Sequence, residues 1–306
     1  MEDFGKEKNS DLAKECADRL GKKIPGLEQE EQKIGGLSVH RMRILNPEAA
    51  ESIGKPIGNY VTICCGSIER ADFQVRRQTM LLIAAELRSM AERLCKKKPG
   101  KEFRVLVAGL GNADLTADAL GSMTVRKMTV TGHLPGEDRF FFEALDCCEI
   151  YALAPGVKGQ TGMDVAALLT AVAEVISADL LVAVDALAAT GLDHLSGVVQ
   201  LSDTGIVPGS GVGNHRSAIT SEKTGIPVIS LGIPTVVSSS ALVRDVLELA
   251  GIQTPEGQLR AILENGKRLF VTPSNCDEKV RRASRLLADA INFAFAGQAA
   301  EMESLS

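Results

Sequence analysis

The stretch Leu180-Leu181-Val182-Ala183-Val184-Asp185 is apolar at five consecutive positions and ends in a carboxylate. A run of that length without polar alternation reads as a strand buried on both faces. The theme recurs on either side of it. Arg104-Val105-Leu106-Val107-Ala108 and residues 149–153 precede it, and residues 198–201 and Pro227-Val228-Ile229-Ser230-Leu231 follow. Helical segments alternate with these runs. Residues 71–95 place Met80, Ile83, Leu87, Met90 and Leu94 on one face. Further helices are predicted over 116–128, 161–177 with Thr161 as cap, 239–250 and 277–295. Apolar strands alternating with helices predict an α/β domain, a three-layer sandwich around a central, mostly parallel sheet. The first sixty residues are charged and turn-rich and read as an arm with short β elements near Gly35-Gly36. Tyr60-Val61-Thr62-Ile63-Cys64 is a further strand.

Composition narrows the class. The chain has 306 residues, 45% apolar and 24% charged, with a formal net charge of −5. That apolar content supports a packed core and excludes wholesale disorder. The most apolar stretches are interrupted by Glu174 and Asp185, short of the about 18 apolar residues of a membrane span. The opening Met1-Glu2-Asp3-Phe4-Gly5-Lys6 has no secretory pattern, so a soluble, cytoplasmic protein is expected, with no membrane partner. Mild acidity, 4% aromatics and no Trp argue against direct nucleic-acid binding. Seven cysteines, among them the pairs Cys64-Cys65 and Cys147-Cys148, show no Cys-x-x-Cys spacing and read as reduced thiols.

In an open α/β sheet, ligands bind beyond the carboxyl ends of the strands. The residues following each apolar run are rich in Gly, Pro and Asp. They are Gly109-Leu110-Gly111-Asn112 with Asp118, then Ala154-Pro155-Gly156, then Asp185. Ser202-Asp203-Thr204-Gly205 with Pro208-Gly209-Ser210-Gly211-Val212-Gly213-Asn214 come next, and Gly232-Ile233-Pro234-Thr235 last. Five such loops on one sheet edge predict a site lined by Gly111, Asn112, Pro155, Gly156, Asp203, Gly209, Gly211 and Asn214. Gly109-x-Gly111 lacks the third glycine of a dinucleotide fingerprint, and the 209–214 loop lacks the Gly-Lys-Ser/Thr ending of a phosphate loop. The histidines (His40, His133, His194, His215) are not at metal-ligand spacing, and no Gly-x-Ser-x-Gly elbow occurs. No cofactor is implied. What remains is carboxylates: Asp118 shortly after the first strand loop and Asp185 at the end of the most apolar strand. Two carboxyls sharing one proton can activate water and protonate an amide leaving group. Two other readings stay open: a metal-assisted hydrolase with His194 or His215 joining the aspartates, and a silent scaffold.

Several motifs together resemble the germination proteases of spore-forming bacteria. They are Gly109-Leu110-Gly111-Asn112, Thr116-x-Asp118-Ala119-Leu120-Gly121, Ala154-Pro155-Gly156-Val157 and Val184-Asp185-Ala186-Leu187. The 202–214 stretch, Gly232-Ile233-Pro234-Thr235 and Val271-Thr272-Pro273 fit as well, so the likeness runs from about Asp11 to Gly297. The resemblance implies a phosphorylase/hydrolase-like α/β sandwich related to hydrogenase-maturation peptidases. It implies an endopeptidase that degrades small acid-soluble proteins coating spore DNA, cleaving after acidic residues. It further implies a self-processing zymogen, a homotetramer, residence in the forespore or spore core, and Asp118 and Asp185 as the catalytic pair. The family's processing site resembles Arg-Thr-Asp-Leu-Ala, where this chain reads Asn9-Ser10-Asp11-Leu12-Ala13. Residues 1–11 are therefore the expected propeptide, with the cut between Asp11 and Leu12, and residues 12–306 one peptidase domain. Between Ala250 and Phe270 the chain is shorter than in typical members.

Overall fold

The computed structural model describes residues 10–18, 20, 24–209, 217–252 and 269–297. Its centre is one sheet of nine strands: β1 (Leu27–Ile34), β2 (Leu37–Ile44), β3 (Gly58–Cys64), β4 (Arg104–Gly109), β5 (Glu149–Leu153), β6 (Leu180–Ala189), β7 (Val198–Ser202), β8 (Val228–Ser238) and β9 (Phe270–Val271). Their spatial order is β1-β2-β3-β7-β8-β6-β4-β5, with β9 beside β8. The sheet is mixed. Three strand pairs run parallel, β4/β5, β4/β6 and β6/β8, and five run antiparallel. This corrects the expected mostly parallel sheet, for two reasons of chain length. Parallel neighbours need a crossover of a dozen or more residues, and the Gly35-Gly36 turn leaves no room for one between β1 and β2. Both glycines have positive φ, 59° and 86°, the backbone of a tight hairpin turn. Likewise only residues 190–197 join β6 to β7, which returns antiparallel on the far side of β8.

The helices are α1 (Ala13–Asp18), α2 (Pro47–Ile53), α3 (Phe73–Cys95), α4 (Leu120–Val125), α5 (Leu134–Glu137), α6 (Arg139–Leu145), α7 (Lys158–Thr161), α8 (Val165–Val175), α9 (Ser221–Thr224), α10 (Ser239–Leu249) and α11 (Cys276–Phe295). Strand alternation divides the core between the two sheet faces. Val105, Val107, Val182 and Val184 pack with Ile83, Leu87 and Met90 of α3 and with Leu287 and Ile291 of α11. The intervening Leu106, Ala108, Leu181 and Ala183 pack against Ala166, Leu169 and Ala173 of α8. Near the β1 edge, α1 and α2 cover Met42, Ile44 and Tyr60. Each fully buried aliphatic side chain contributes about 1.5–3 kcal/mol, so these layers hold the strand ends rigidly.

Helix α3 fills nearly all of the predicted 71–95 segment; Asp72 caps it, its side chain accepting from Val75 N at 2.9 Å. Two expectations need correction. The segment predicted as a helix over 116–128 is a single 3-10 turn, Thr116–Asp118, followed by the short α4. The segment predicted over 161–177 breaks at Gly162, whose φ is 72°. Asp164, not Thr161, caps α8, accepting from Ala167 N at 3.1 Å.

Candidate active site

The crossover after β4 leads to β5 on one side of it, and the next returns to β6 on the other. The sheet therefore reverses its winding between β4 and β6, where a crevice opens beyond the strand ends. Asp118 and Asp185 come from the two walls of this switch point. β4 stops at Gly109, paired with Val184, so Asp185 is the first β6 residue past the end of its neighbour. It is only 3% exposed, and its Oδ1 accepts from Ala186 N at 3.0 Å.

Asp118 ends the 3-10 turn, which packs on β6 and β8. Three contacts fix that turn. Asp118 Oδ2 accepts from Asn112 N at 2.8 Å. Thr235 Oγ1 donates to the Ala117 carbonyl at 2.6 Å. Gly111, at φ 97°, lies so close that a Cβ there would stand 1.9 Å from the Asp118 carbonyl oxygen; only glycine fits. Gly121 similarly lets α4 approach β6, since its Cβ would meet the Val184 oxygen at 2.3 Å.

The next loop joins this wall through α7. Gln160 Nε2 donates to Asn112 Oδ1 at 2.8 Å and to Asp114 Oδ2 at 2.9 Å, bringing the Pro155-Gly156 turn beside the Asn112 loop. Gly156 has φ 69°, and Pro155 is buried. Gly111, Asn112, Pro155, Gly156, Asp118 and Asp185 thus belong to one end of the sheet. Asp203 does not join them. The expected convergence assumed parallel strands, whereas β7 runs antiparallel and delivers its carboxyl end to the opposite edge. There Asp203 accepts from Asn59 N at 2.7 Å, Asn59 Nδ2 at 2.6 Å and Arg93 Nη2 at 3.0 Å. Those bonds tie β3, β7 and α3 together. Gly209 follows on the same loop, with φ 73°; Gly211 and Asn214 lie outside the described residues.

The segment around Asp11 and Leu12 is docked on the sheet close to Asp185. Asp11 N donates to the Ala188 carbonyl at 3.0 Å, and Ala188 N to Asp11 Oδ2 at 2.9 Å. Leu12 is 0% exposed and packs on Leu187, Ala189 and Val198. Gln200, on β7, donates from Nε2 to the Asp11 carbonyl at 2.8 Å and accepts from Ala13 N at 2.6 Å. Glu15 anchors the segment at its far end. Its carboxylate accepts from Thr190 N at 2.9 Å, Thr190 Oγ1 at 2.7 Å, Gly191 N at 3.0 Å and the Ser10 hydroxyl, and pairs with His194 Nδ1 at 2.6 Å. Burial pushes this carboxyl up, but the hydrogen bonds from His194, Ser10 and Thr190 outweigh it and hold its pKa below the ordinary value. A cavity of about 240 Å³ adjoins the Asp11 junction, lined by Ser10, Asp11, Tyr60, Leu187, Gln200 and Gly232 among others.

His194, a ligand of the metal-assisted alternative, is thus committed to Glu15; His215 lies outside the described residues. No group of three or more His, Cys, Asp or Glu suited to a metal occurs among the described residues. None of the seven cysteines forms a disulfide. Burial pushes the thiols of Cys65 and Cys148 up to about 12, away from the thiolate a nucleophile requires. Sequence reasoning missed Thr235 as the tie to Ala117, Gln160, Gln200 and Glu15. Their partners lie far away along the chain, 187 positions for Gln200 and Ala13, so no local spacing marks them.

The chain is similar to known proteins over most of its length. The family described as germination protease matches residues 5–251. The germination protease of Caldanaerobacter subterraneus subsp. tengcongensis is 33% identical over 308 residues, 93% of either chain. That of Clostridium perfringens is 34% identical over 314 residues, 93% of this chain and 94% of the relative. That of Oceanobacillus iheyensis is 38% identical over 229 residues, 74% of this chain and 60% of the relative. With a family match over most of its length and relatives above 30% identity along nearly all of it, this chain belongs to the germination proteases and is a peptidase.

Proposed function

We propose that the chain is an endopeptidase that degrades small acid-soluble, DNA-coating spore proteins at germination, using Asp118 and Asp185 as a proton-sharing pair. One observation carries the reading: two aspartates stand on the two walls of the β4/β6 switch point, one nearly fully buried at a strand end and the other on a turn fixed by Gly111, Asn112 and Thr235. Two carboxyls in a partly dehydrated crevice divide roles, because desolvation favours keeping one of them protonated. The ionised carboxylate takes a proton from water as the water oxygen adds to the scissile carbonyl carbon. The protonated partner then gives its proton to the amide nitrogen as the C–N bond breaks, leaving a carboxylic acid and an amine. No metal or cofactor enters this scheme.

Residues 1–11 act as a propeptide removed by cleavage between Asp11 and Leu12, and residues 12–306 form the working domain. Cleavage after acidic residues is supported by the same junction, where Ala188 N–H donates to the Asp11 carboxylate. The remaining family traits belong to this reading too: a three-layer sandwich related to hydrogenase-maturation peptidases, a homotetramer, and residence in the spore core. No helix among the described residues is long and apolar enough to cross a membrane.

Digestion of a small acid-soluble spore protein tests the reading. The full chain is compared with a version starting at Leu12, each also carrying Asp118→Asn or Asp185→Asn, with and without a chelator. The expected result is immediate cleavage by the trimmed chain and cleavage by the full chain only once its Asp11–Leu12 bond is cut, both abolished by either substitution and indifferent to the chelator. Loss on chelation would transfer the site to metal-assisted chemistry, and a folded trimmed chain that never cuts would overturn the assignment.

A further inference from the structure

We propose that Gln200 is a catalytic residue of the chain's first cut, its side-chain N–H bonding the Asp11 carbonyl oxygen on which negative charge develops. The inference rests on the reading of Asp11–Leu12 as a cleaved bond and of Asp185 as a catalytic group. It starts from an anomaly in β7. Gln200 is a long polar residue, 7% exposed, among Val198, Val199 and Leu201, which are buried at 0–1%. Burying an amide is costly unless its donors and acceptors are engaged. Here both ends of the amide are spent on one stretch of backbone, Nε2 on the Asp11 carbonyl and Oε1 on Ala13 N–H. The two partners also fix the orientation of the amide, because a carbonyl must face nitrogen and an N–H must face oxygen.

The register then connects Gln200 to the carboxylate. Asp185 of β6 pairs with Gly232 of β8, and Gly232 pairs with Gln200 of β7. Residues on one rung project from the same face, and two strand spacings separate the outer pair by about 10 Å. The middle position has no side chain, and none fits, since a Cβ on Gly232 would stand 2.6 Å from the Asp185 carbonyl oxygen and 2.7 Å from Leu187 Cγ. A peptide crossing this face therefore has Asp185 on one side and the Gln200 amide on the other. Asp11 is already held there by Ala188.

In the reaction, water adds to the Asp11 carbonyl carbon and the carbonyl oxygen becomes an oxyanion. Gln200 keeps its protons throughout, and the proton released from water passes to the carboxylate pair. As the C–N bond breaks, the pair returns a proton to Leu12 N, freeing the new amino terminus. A neutral donor aimed at a developing oxyanion typically contributes about 10²–10³-fold in rate.

Two variants of the full chain test this. Gln200→Glu keeps an oxygen to accept from Ala13 N and replaces the donor. Gln200→Met keeps the length and removes both bonds. Self-cleavage at Asp11–Leu12 is followed by intact mass, and docking of the segment by residue-resolved alkylation of Cys16, 8% exposed in the folded chain. The expected result is cleavage slowed by about 100-fold in a variant whose Cys16 stays as protected as in the unsubstituted chain. Unchanged cleavage in both variants overturns the inference and leaves the reading beneath it intact. Slowing that occurs only where Cys16 becomes reactive also overturns it, reducing Gln200 to an anchor. If the unsubstituted chain never cuts at this bond, the underlying reading fails and takes the inference with it.

Discussion

At Glu15 two opposing effects meet in one side chain, and the outcome sets a pH dependence. Its pKa in the folded chain is depressed below the ordinary value by bonds from His194, Ser10 and Thr190 that exceed the burial penalty. A depressed carboxyl stabilises the folded form fully above its unfolded pKa and loses that contribution as the pH falls through the folded value. Protection of Cys16 should therefore be flat from pH 7 to 5 and decline only below the ordinary glutamate range of about 4.3; a decline centred near neutrality would contradict the assignment. Glu15→Gln should cost on the order of 2–3 kcal/mol of docking stability, since hydrogen bonds to a charged group are lost, and should flatten the acid limb. Gly111→Ala is expected to be harsher on activity. Its methyl would collide with the Asp118 carbonyl oxygen at a φ that disfavours any side chain. Proteolysis by the trimmed enzyme should fall by more than about tenfold, and retention of full activity would show that the turn can move freely.

Elements were legible in the sequence to the degree that burial imposed a pattern on them. β4, β6 and β7 stand within a few residues of their apolar runs because strands covered on both faces can hold little else. β1 shows in the sequence only as short β structure within a charged, turn-rich arm. Its sequence, Leu27-Glu28-Gln29-Glu30-Glu31-Gln32-Lys33-Ile34, is exposed along all six inner positions, and such a strand leaves no hydrophobic trace. The proposed aspartate pair is legible for a reason of element geometry: one lies at a strand end and the other on the turn after β4, beside a switch point, where open α/β sheets bind ligands. Asp203 stands apart from the group its sequence position suggests, because the direction of β7 depends on pairing with β3 and β8, which no local pattern encodes. Thr235 belongs to this scale too. It is the extra β8 residue where the register slips beside Leu187 and Ala188, and it ties that strand to the Asp118 turn. Thr235→Val should cost only about 1 kcal/mol of stability, one hydrogen bond, yet lower kcat by roughly 10- to 100-fold through misplacement of Asp118. An unchanged kcat would remove Thr235 from the machinery.

Across the whole molecule, the sheet joins two unlike halves. β4, β6 and β8 lie between helices on both faces, whereas β1 ends the antiparallel half as a charged edge that discourages pairing with other chains. Amide exchange should follow this division. Residues 181–184 should exchange only with global unfolding, and outward-facing amides of β1 orders of magnitude sooner; comparable rates in both would refute the division. The burial of Leu12 has a further consequence. A protease needs several residues of extended, accessible chain, and the bond preceding a fully covered side chain offers none. Housekeeping enzymes in the surrounding compartment are thereby shut out of the Asp11 junction for as long as the segment stays seated. On the proposed reading, removal of the segment is then left to chemistry inside the seated molecule, a clock held within the fold rather than a trigger outside it.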